Sequence, residues 1–361
     1  MARVKETEKK RKKSFWYSIT HTKSLSPQEY RGMVRKVSLF VAAGFLGSFI
    51  VFIALAYLGG INKVIGIMFG SNLLLYSLAF VSEMAGYTIR YAKWSYFLKR
   101  LKVKVPSKKN FMVYLSLYSM NITPGKIGRV VAAFTLNRIT KIRFMNIVPI
   151  VTMDIFTDFL GIAILALIAS LYFDKYVIFV IIADIVMLLP FVFLLNDWLF
   201  NLLRKMLKSS RYLEMFSLYG EEYFASQSIL NKPDVYLVSM MFTLPAAFFS
   251  SLTLFFTLAA VGVLPHLSTT VFSYTIAQIT GMVSTVPGTV GVTDASLAAL
   301  LVGVVGVNSA TAYAVTIMTR LASLWFGVIL GGICLFYTLR YWHSKNTKKP
   351  DKGSSAAKRL R

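Results

Sequence analysis

Six stretches of the chain run apolar for about the length of a bilayer crossing: 36–58, 64–89, 145–172, 176–195, 236–262 and 311–339. A hydrocarbon core of ~30 Å takes roughly 20 apolar residues in helical form, so each stretch predicts a transmembrane helix. Two further apolar stretches, about 110–137 and 269–305, are interrupted. The first break reads Asn121-Ile122-Thr123-Pro124-Gly125-Lys126-Ile127-Gly128-Arg129. The second reads Ser284-Thr285-Val286-Pro287-Gly288-Thr289-Val290-Gly291-Val292. Both carry Pro-Gly-x-x-Gly, and their prolines lie 163 residues apart (287 minus 124). The arm 110–122 before the first break has 13 residues, roughly 20 Å at 1.5 Å per residue. It reaches the middle of a bilayer but not the far side. Each broken stretch therefore predicts a re-entrant helical hairpin. Two kinked full spans at each break are the other reading, and they leave the sidedness of every other segment unchanged.

The expected fold class is an all-α polytopic membrane protein with about six full spans and two re-entrant hairpins. The order span, span, hairpin, span occurs twice. Three full spans per half is an odd number, so the second half is inverted relative to the first. Repeat 1 covers 36–172, and repeat 2 covers 173–340 with a polar loop at 196–234. A basic segment, 1–35, precedes them and a basic tail, 341–361, follows. Paired broken segments at matching positions of two halves point to a transporter's binding site. Unwound backbone at membrane depth is tolerated only where protein buries it or it lines a wet cavity.

Charge sets the sides. The chain has 361 residues, is 56% hydrophobic, and carries 40 Lys and Arg against 15 Asp and Glu, a net +25. Its mean hydropathy is +0.61. The basic residues flank the apolar spans. Eleven fall at or before Lys36, and the 90–109 loop holds Arg90, Lys93, Lys99, Arg100, Lys102, Lys104, Lys108 and Lys109 without an acid. With both termini in the cytoplasm, these clusters, Arg138 to Arg143, the 196–234 loop and the tail all fall inside. Lys63 and Lys175 are left outside. That is the positive-inside pattern of a multi-pass cell-membrane protein, and it suits an anionic lipid surface rather than nucleic acid. In the 196–234 loop, Leu202, Leu203, Met206, Leu207 and Leu213 alternate with Arg204, Lys205, Lys208 and Arg211, which fits an interfacial amphipathic helix. A cleaved signal peptide is not expected, because the first apolar run is too long and lacks a cleavage site. One cysteine, Cys334, permits no internal disulfide. Three histidines outside or at the ends of spans assemble no Cys/His metal site. There is no Walker A sequence, and no cofactor or metal is expected.

Charges within apolar stretches cost about 2.5–3.5 kcal/mol each on insertion scales, so they call for a function or a partner. Eight qualify: Glu83, Lys126, Arg129, Asp154, Asp158, Asp184, Asp294 and Arg320. Lys126 and Arg129 open the second arm of the first hairpin, where backbone N–H groups favour an anion. They either hold phosphate or snorkel to the cytoplasmic surface. Asp154 and Asp158 are four apart and share a helix face. They either pair with Arg129 or carry protons for coupling. Glu83, Asp154, Asp158, Asp184, Asp294 and Arg320 are the candidates for charge pairing or proton coupling; Asp184 is expected buried, protonated or paired, and Asp294 is expected to pair with Arg320. Ser284, Thr285, Thr289 and Thr293 give the second tip hydroxyls but no cation. The candidate substrate-binding set is Asn121, Pro124, Gly125, Lys126, Gly128, Arg129, Ser284, Thr285, Pro287, Gly288, Thr289 and Gly291. Gly66-x-x-x-Gly70 and Gly327-x-x-x-Gly331 read as close helix packing.

The second tip, followed by Asp294 and Ser296-Leu297-Ala298-Ala299-Leu300-Leu301, resembles a Pro-Gly-Gly-x-Gly-x-x-Glu segment. That segment belongs to the transmembrane, flippase-like domain of lysylphosphatidylglycerol synthases and their stand-alone relatives. Asn121 to Arg129 resembles the family's earlier Asn-x-x-Pro-Gly-x-x-Gly segment, and Arg320 its late arginine. The resemblance covers roughly 36–340. Thr289 replaces the family's second glycine and Asp294 stands at or near its glutamate. Ile155 replaces the arginine of an acidic-Arg-x-x-Asp pattern that Asp154 and Asp158 otherwise fit. The resemblance implies a lipid translocase moving an anionic phospholipid or a polyprenyl-phosphate-linked lipid by alternating access. The expected partner is that lipid, with a homo-oligomer allowed. The family's soluble aminoacyl-transferase domain is absent, so no enzymatic activity is expected. Two alternatives stand beside this reading. One is a secondary transporter of a small anionic solute. The other is a head-group enzyme using Asp154 and Asp158 as metal ligands, which needs further carboxylates or histidines near that pair.

Overall fold

The structure, a computed structural model, describes residues 27–140, 142–173, 176–196, 198–199, 202, 222–284 and 286–346. The head before residue 27, Thr285, Lys175, the tail beyond residue 346 and most of the predicted interfacial helix lie outside the described residues. Among the described residues the chain is helical, without a strand. Its helices are α1 (Pro27–Leu58), α2 (Ile61–Phe69), α3 (Leu73–Arg100), α4 (Ser107–Ser116), α5 (Val131–Thr140) and α6 (Phe144–Ser170). There follow α7 (Val177–Leu195), α8 (Pro233–Ala260), α9 (Leu267–Val283), α10 (Val292–Leu300), α11 (Ser309–Arg320) and α12 (Phe326–Asn346). Phe144–Ser170, Val177–Leu195, Pro233–Ala260, Pro287–Val305 and Ser309–Thr338 are each long and apolar enough to cross a membrane. Ala42–Leu58 and Ile61–Phe69, bent by 106° at their junction, reach that length and apolarity only together, as a broken span or a re-entrant loop. The protein is an all-α, multi-pass membrane protein.

The second span departs from its expected bounds. A single helix over 64–89 is replaced by α2, a break at Gly70-Ser71-Asn72, and α3. Gly70 caps α2, and the Asn72 carboxamide oxygen accepts from the N–H groups of Leu74 (3.0 Å) and Leu75 (3.2 Å). An asparagine in that role satisfies helix donors that otherwise lack partners. The other end is also displaced. Helix α3 runs on to Arg100, so Arg90 and Lys93 belong to a helix and not to a cytoplasmic loop. One face carries Glu83, Gly86, Tyr87, Arg90, Lys93, Trp94 and Phe97, all buried. Burial of that face carries the helix through its charges.

Helix α3 packs along α8 more extensively than any other described pair. Gly86 allows the approach, since a Cβ there would sit 3.2 Å from the Ala246 carbonyl oxygen. Ser82 Oγ donates to the Phe249 carbonyl at 2.5 Å. Lipid tails are as apolar as leucine, so helix pairs in membranes are held by close contact and hydrogen bonds. The two broken elements are gripped crosswise. Helix α4, the first arm of one, rests on α12, and α9, the first arm of the other, rests on α6. Gly327 and Gly331 are the points of closest approach. Side chains there would meet the Tyr87 hydroxyl and the Ser119 backbone nitrogen, respectively. Gly66 meets nothing within 4 Å, so the two Gly-x-x-x-Gly pairs are not equivalent.

Candidate functional site

The two Pro-Gly breaks form the same turn. The Thr123 carbonyl accepts from Lys126 N–H at 3.1 Å, and the Val286 carbonyl from Thr289 N–H at 2.9 Å. Lys126 and Thr289 each stand two residues after the proline, and both are left-handed, with φ of 58° and 56°. Side chains other than glycine rarely adopt that region, and for a β-branched residue it is an outlier. Such backbone persists where surroundings fix it, and it clusters at working sites. In the first tip, Thr123 Oγ1 accepts from Gly128 N–H at 2.8 Å. In the second, Gly288 is also left-handed (φ 63°), and a Cβ there would lie 2.9 Å from Ile122 Cγ1 of the first tip. Ile122 is wholly buried, packed with Trp325 and Val328. The tips thus touch, and each contributes one strained side chain beside the contact.

An ion cluster backs the first tip. Lys93 Nζ lies 2.6 Å from Asp158 Oδ1 and 3.2 Å from Asp154 Oδ1. It also donates to Thr157 Oγ1 at 2.9 Å. Arg129 Nη1 bridges both acids, at 3.2 Å from Asp154 Oδ2 and 3.2 Å from Asp158 Oδ2, while its Nε donates to Asn121 Oδ1 at 2.9 Å. Arg90 Nε lies 3.4 Å from Asp158 Oδ1, and its Nη1 donates to Ser250 Oγ at 3.1 Å. The pairing of Arg129 with both aspartates is therefore direct. Arg129 is 3% exposed, which removes the snorkelling alternative for it.

A smaller pair backs the second tip. Arg320 Nε lies 3.0 Å from Asp294 Oδ1, and its Nη2 donates to the Gly288 carbonyl at 2.9 Å. Asp294 Oδ2 accepts from the N–H of Gly291 at 2.8 Å, closing the start of α10. Arg320 thus holds the Pro287–Thr289 turn against α11.

Between the tips lies a cavity of about 110 Å³, enough for several waters by volume. Its wall includes Asn121, Lys126, Arg129, Gly288, Thr289 and Arg320, together with Glu83, Arg90 and Asp158. Three tyrosines, Tyr87, Tyr118 and Tyr274, add phenols from α3, the 3₁₀ turn Leu117–Met120 and α9. Lys126 is half-buried, with Nζ 5.0 Å from the centre of the Phe159 ring. It makes no ion pair among the described residues. The charged residues gathered here are five cations (Arg90, Lys93, Lys126, Arg129 and Arg320) and four acids (Glu83, Asp154, Asp158 and Asp294). The surplus charge is positive.

The structure does not bring every expected residue to this cavity. Pro124 and Gly125 lie in the Pro124–Val130 turn. Ser284 Oγ donates to the Gly281 carbonyl at 2.6 Å, ending α9 locally. Pro287 opens the second turn and Gly291 the helix after it. Asp184, on α7, is buried away from the cavity. Thr293 is buried, with its hydroxyl against Gly281. Arg90, Lys93 and the three tyrosines were not expected. The spacing Glu83, Tyr87, Arg90, Trp94, Phe97 is a helical stripe, and it was the available signal.

A family model described as the lysylphosphatidylglycerol synthase TM region matches residues 39–331. No curated protein matches the chain.

Proposed function

Because the chain belongs to the family of lysylphosphatidylglycerol synthase transmembrane regions, whose membrane function is lipid-related, we propose that it is a lipid translocase. It moves an anionic phospholipid or a polyprenyl-phosphate-linked lipid between leaflets by alternating access, and it catalyses no chemistry on the head group. The observation that carries this reading is Lys126. It is a cation in a cavity between two touching tips, set on strained backbone, with no carboxylate partner among the described residues. The other cations of the cavity wall contact acids or sit beside them. A phosphate entering the cavity supplies the missing counter-charge. Thr289, its counterpart in the second tip, offers a hydroxyl in the same backbone pose.

Leaflet exchange of fluorescent phosphatidylglycerol in reconstituted vesicles tests this. A charged hydrogen bond contributes about 1.5–3 kcal/mol, roughly 10- to 150-fold in affinity. Lys126→Gln is expected to weaken anionic-lipid binding within that range and to slow exchange. Lys126→Arg keeps the charge and most of the activity. Gln at the exposed Lys104 and Lys108 is the control for general surface charge. Equal loss in the control and in Lys126→Gln rejects the site. Displacement of bound anionic lipid by inorganic phosphate, with no lipid exchange, supports the small-solute transporter instead.

The reading also requires sides. With Cys334 replaced, cysteines at Lys63 and His266 are expected to react with an impermeant thiol reagent from outside intact cells, and a cysteine at Lys104 is not. Labelling at Lys104 overturns the arrangement of tips entering from opposite faces.

A further inference from the structure

The acids around the cavity are not alike. Asp154 and Asp158 are answered by Lys93, Arg90 and Arg129, and Asp294 by Arg320. Glu83 makes no ion pair among the described residues, although it is only 6% exposed and lines the cavity. Its Oε2 accepts from Thr253 Oγ1 at 3.2 Å. The groups around it come from every element packed at the cavity. Tyr87 and Arg90 belong to its own helix, Ser250 and Thr253 to α8, and Tyr274 and Gln278 to α9. Arg320 and Ser323 come from the α11–α12 junction, Tyr118, Lys126 and Arg129 from the first broken element, and Asp158 from α6. Neither Arg90 nor Arg320 forms an ion pair with it, although Arg90 is near enough to act on it electrostatically. Arg90 is bound to Asp158 and Ser250, and Arg320 to Asp294 and the Gly288 carbonyl.

Buried carboxylates are paired or neutralised. An anion arriving beside Lys126 has the same sign as an ionised Glu83 and shares its small space. Anion and proton therefore favour each other's binding, and thermodynamic linkage makes the effect reciprocal. We propose that Glu83 is the proton-binding group of this cavity, taking up a proton when an anionic head group enters, so that the two are carried together. This inference rests on the reading of the cavity as an anion site.

The test uses the full chain in phosphatidylcholine nanodiscs with short-chain fluorescent phosphatidylglycerol as the probe. A phosphodiester keeps its charge over the range used. Between about pH 5 and pH 8, the affinity of the wild-type chain is expected to fall as pH rises, by up to about tenfold per pH unit, the limit for one linked proton. Glu83→Gln is expected to bind at every pH as the wild type does at the acid end. Glu83→Asp keeps a titrating carboxyl and is expected to keep the slope. In vesicles, a pH gradient is expected to drive exchange by the wild type and not by Glu83→Gln. A flat wild-type profile, or an unchanged slope in Glu83→Gln, overturns the proton site while leaving the anion site standing. Failure of the wild type to bind the probe at any pH overturns both.

Discussion

Replacing Lys93 with methionine is expected to lower the stability of the folded bundle by about 3–5 kcal/mol, the usual cost of removing one partner from a buried ion pair. Lys93 is fully buried and closes the ring around Asp154 and Asp158. Without it, Asp154 keeps only Arg129, while Asp158 keeps Arg129 and Arg90. The methionine stem fills a similar volume, so the loss is electrostatic and not a cavity. Lys99 is exposed in the last turn of the same helix, and Lys99→Met is expected to stay within about 0.5 kcal/mol of the wild type. Denaturation of the purified protein in detergent reads both. Adding Asp154→Asn to Lys93→Met is expected to recover part of the loss, because the carboxylate left with the fewest cations is removed while Asp158 keeps Arg90 and Arg129. Equal melting of the two single variants means that the ring contributes nothing to stability. Additive losses in the double variant mean that Lys93 and Asp154 do not interact.

Gly331→Val is expected to cost about 3 kcal/mol, at the upper end of the range for overpacking. A side chain at this position meets only backbone: the Ser119 nitrogen, the Leu115 carbonyl oxygen at 2.8 Å and the Tyr118 carbonyl carbon at 3.1 Å. Rotating a flexible side chain cannot relieve these contacts, so α4 must lift from α12. Tyr118 then shifts too, and its ring lies 5.4 Å from the Arg129 guanidinium. Lipid exchange is therefore expected to fall together with stability. Gly66→Val is the matched comparison, since nothing lies within 4 Å of its added carbon. Thermal unfolding and exchange rates on both variants decide the matter. A Gly331→Val protein that melts and transports like Gly66→Val has no tight α4–α12 seam.

The tips were legible because Pro-Gly-x-x-Gly interrupts apolar runs twice, and interruption inside a membrane is costly enough to signal itself. The Asp154 and Asp158 spacing placed both carboxylates on one face, and Arg129 eight residues after Asn121 stood within reach. Two of the five charged residues of the ion cluster were nevertheless misplaced. Arg90 and Lys93 follow the apolar part of 64–89 and begin a dense basic run. The positive-inside pattern therefore claimed them for a loop. What decides between loop and helix there is the partner face on α6 and α8, which no local window contains. The same blindness hid the break at 70–72. Its Asn72 cap was readable, but the apolar residues on both sides made one continuous stretch. Left-handed backbone at Lys126 and Thr289 was not legible from residue type, since neither is glycine. It follows from the turn each tip makes after Pro-Gly.

The crosswise grip of the broken elements has a consequence for biosynthesis. Helix α4 ends at Ser116, but the seat it rests on begins at Phe326. At about 5–20 residues per second, a ribosome takes roughly 10–40 s to make the intervening 210 residues (326 minus 116). The first broken element lacks its seat on α12 for that long, while its ion cluster with α3 and α6 can already close. Lys93, Arg129, Asp154 and Asp158 are all made before that point, so their ion pairs are available to hold the element until the last helix arrives. An order of assembly is thus written into the chain, with charge first and close packing last.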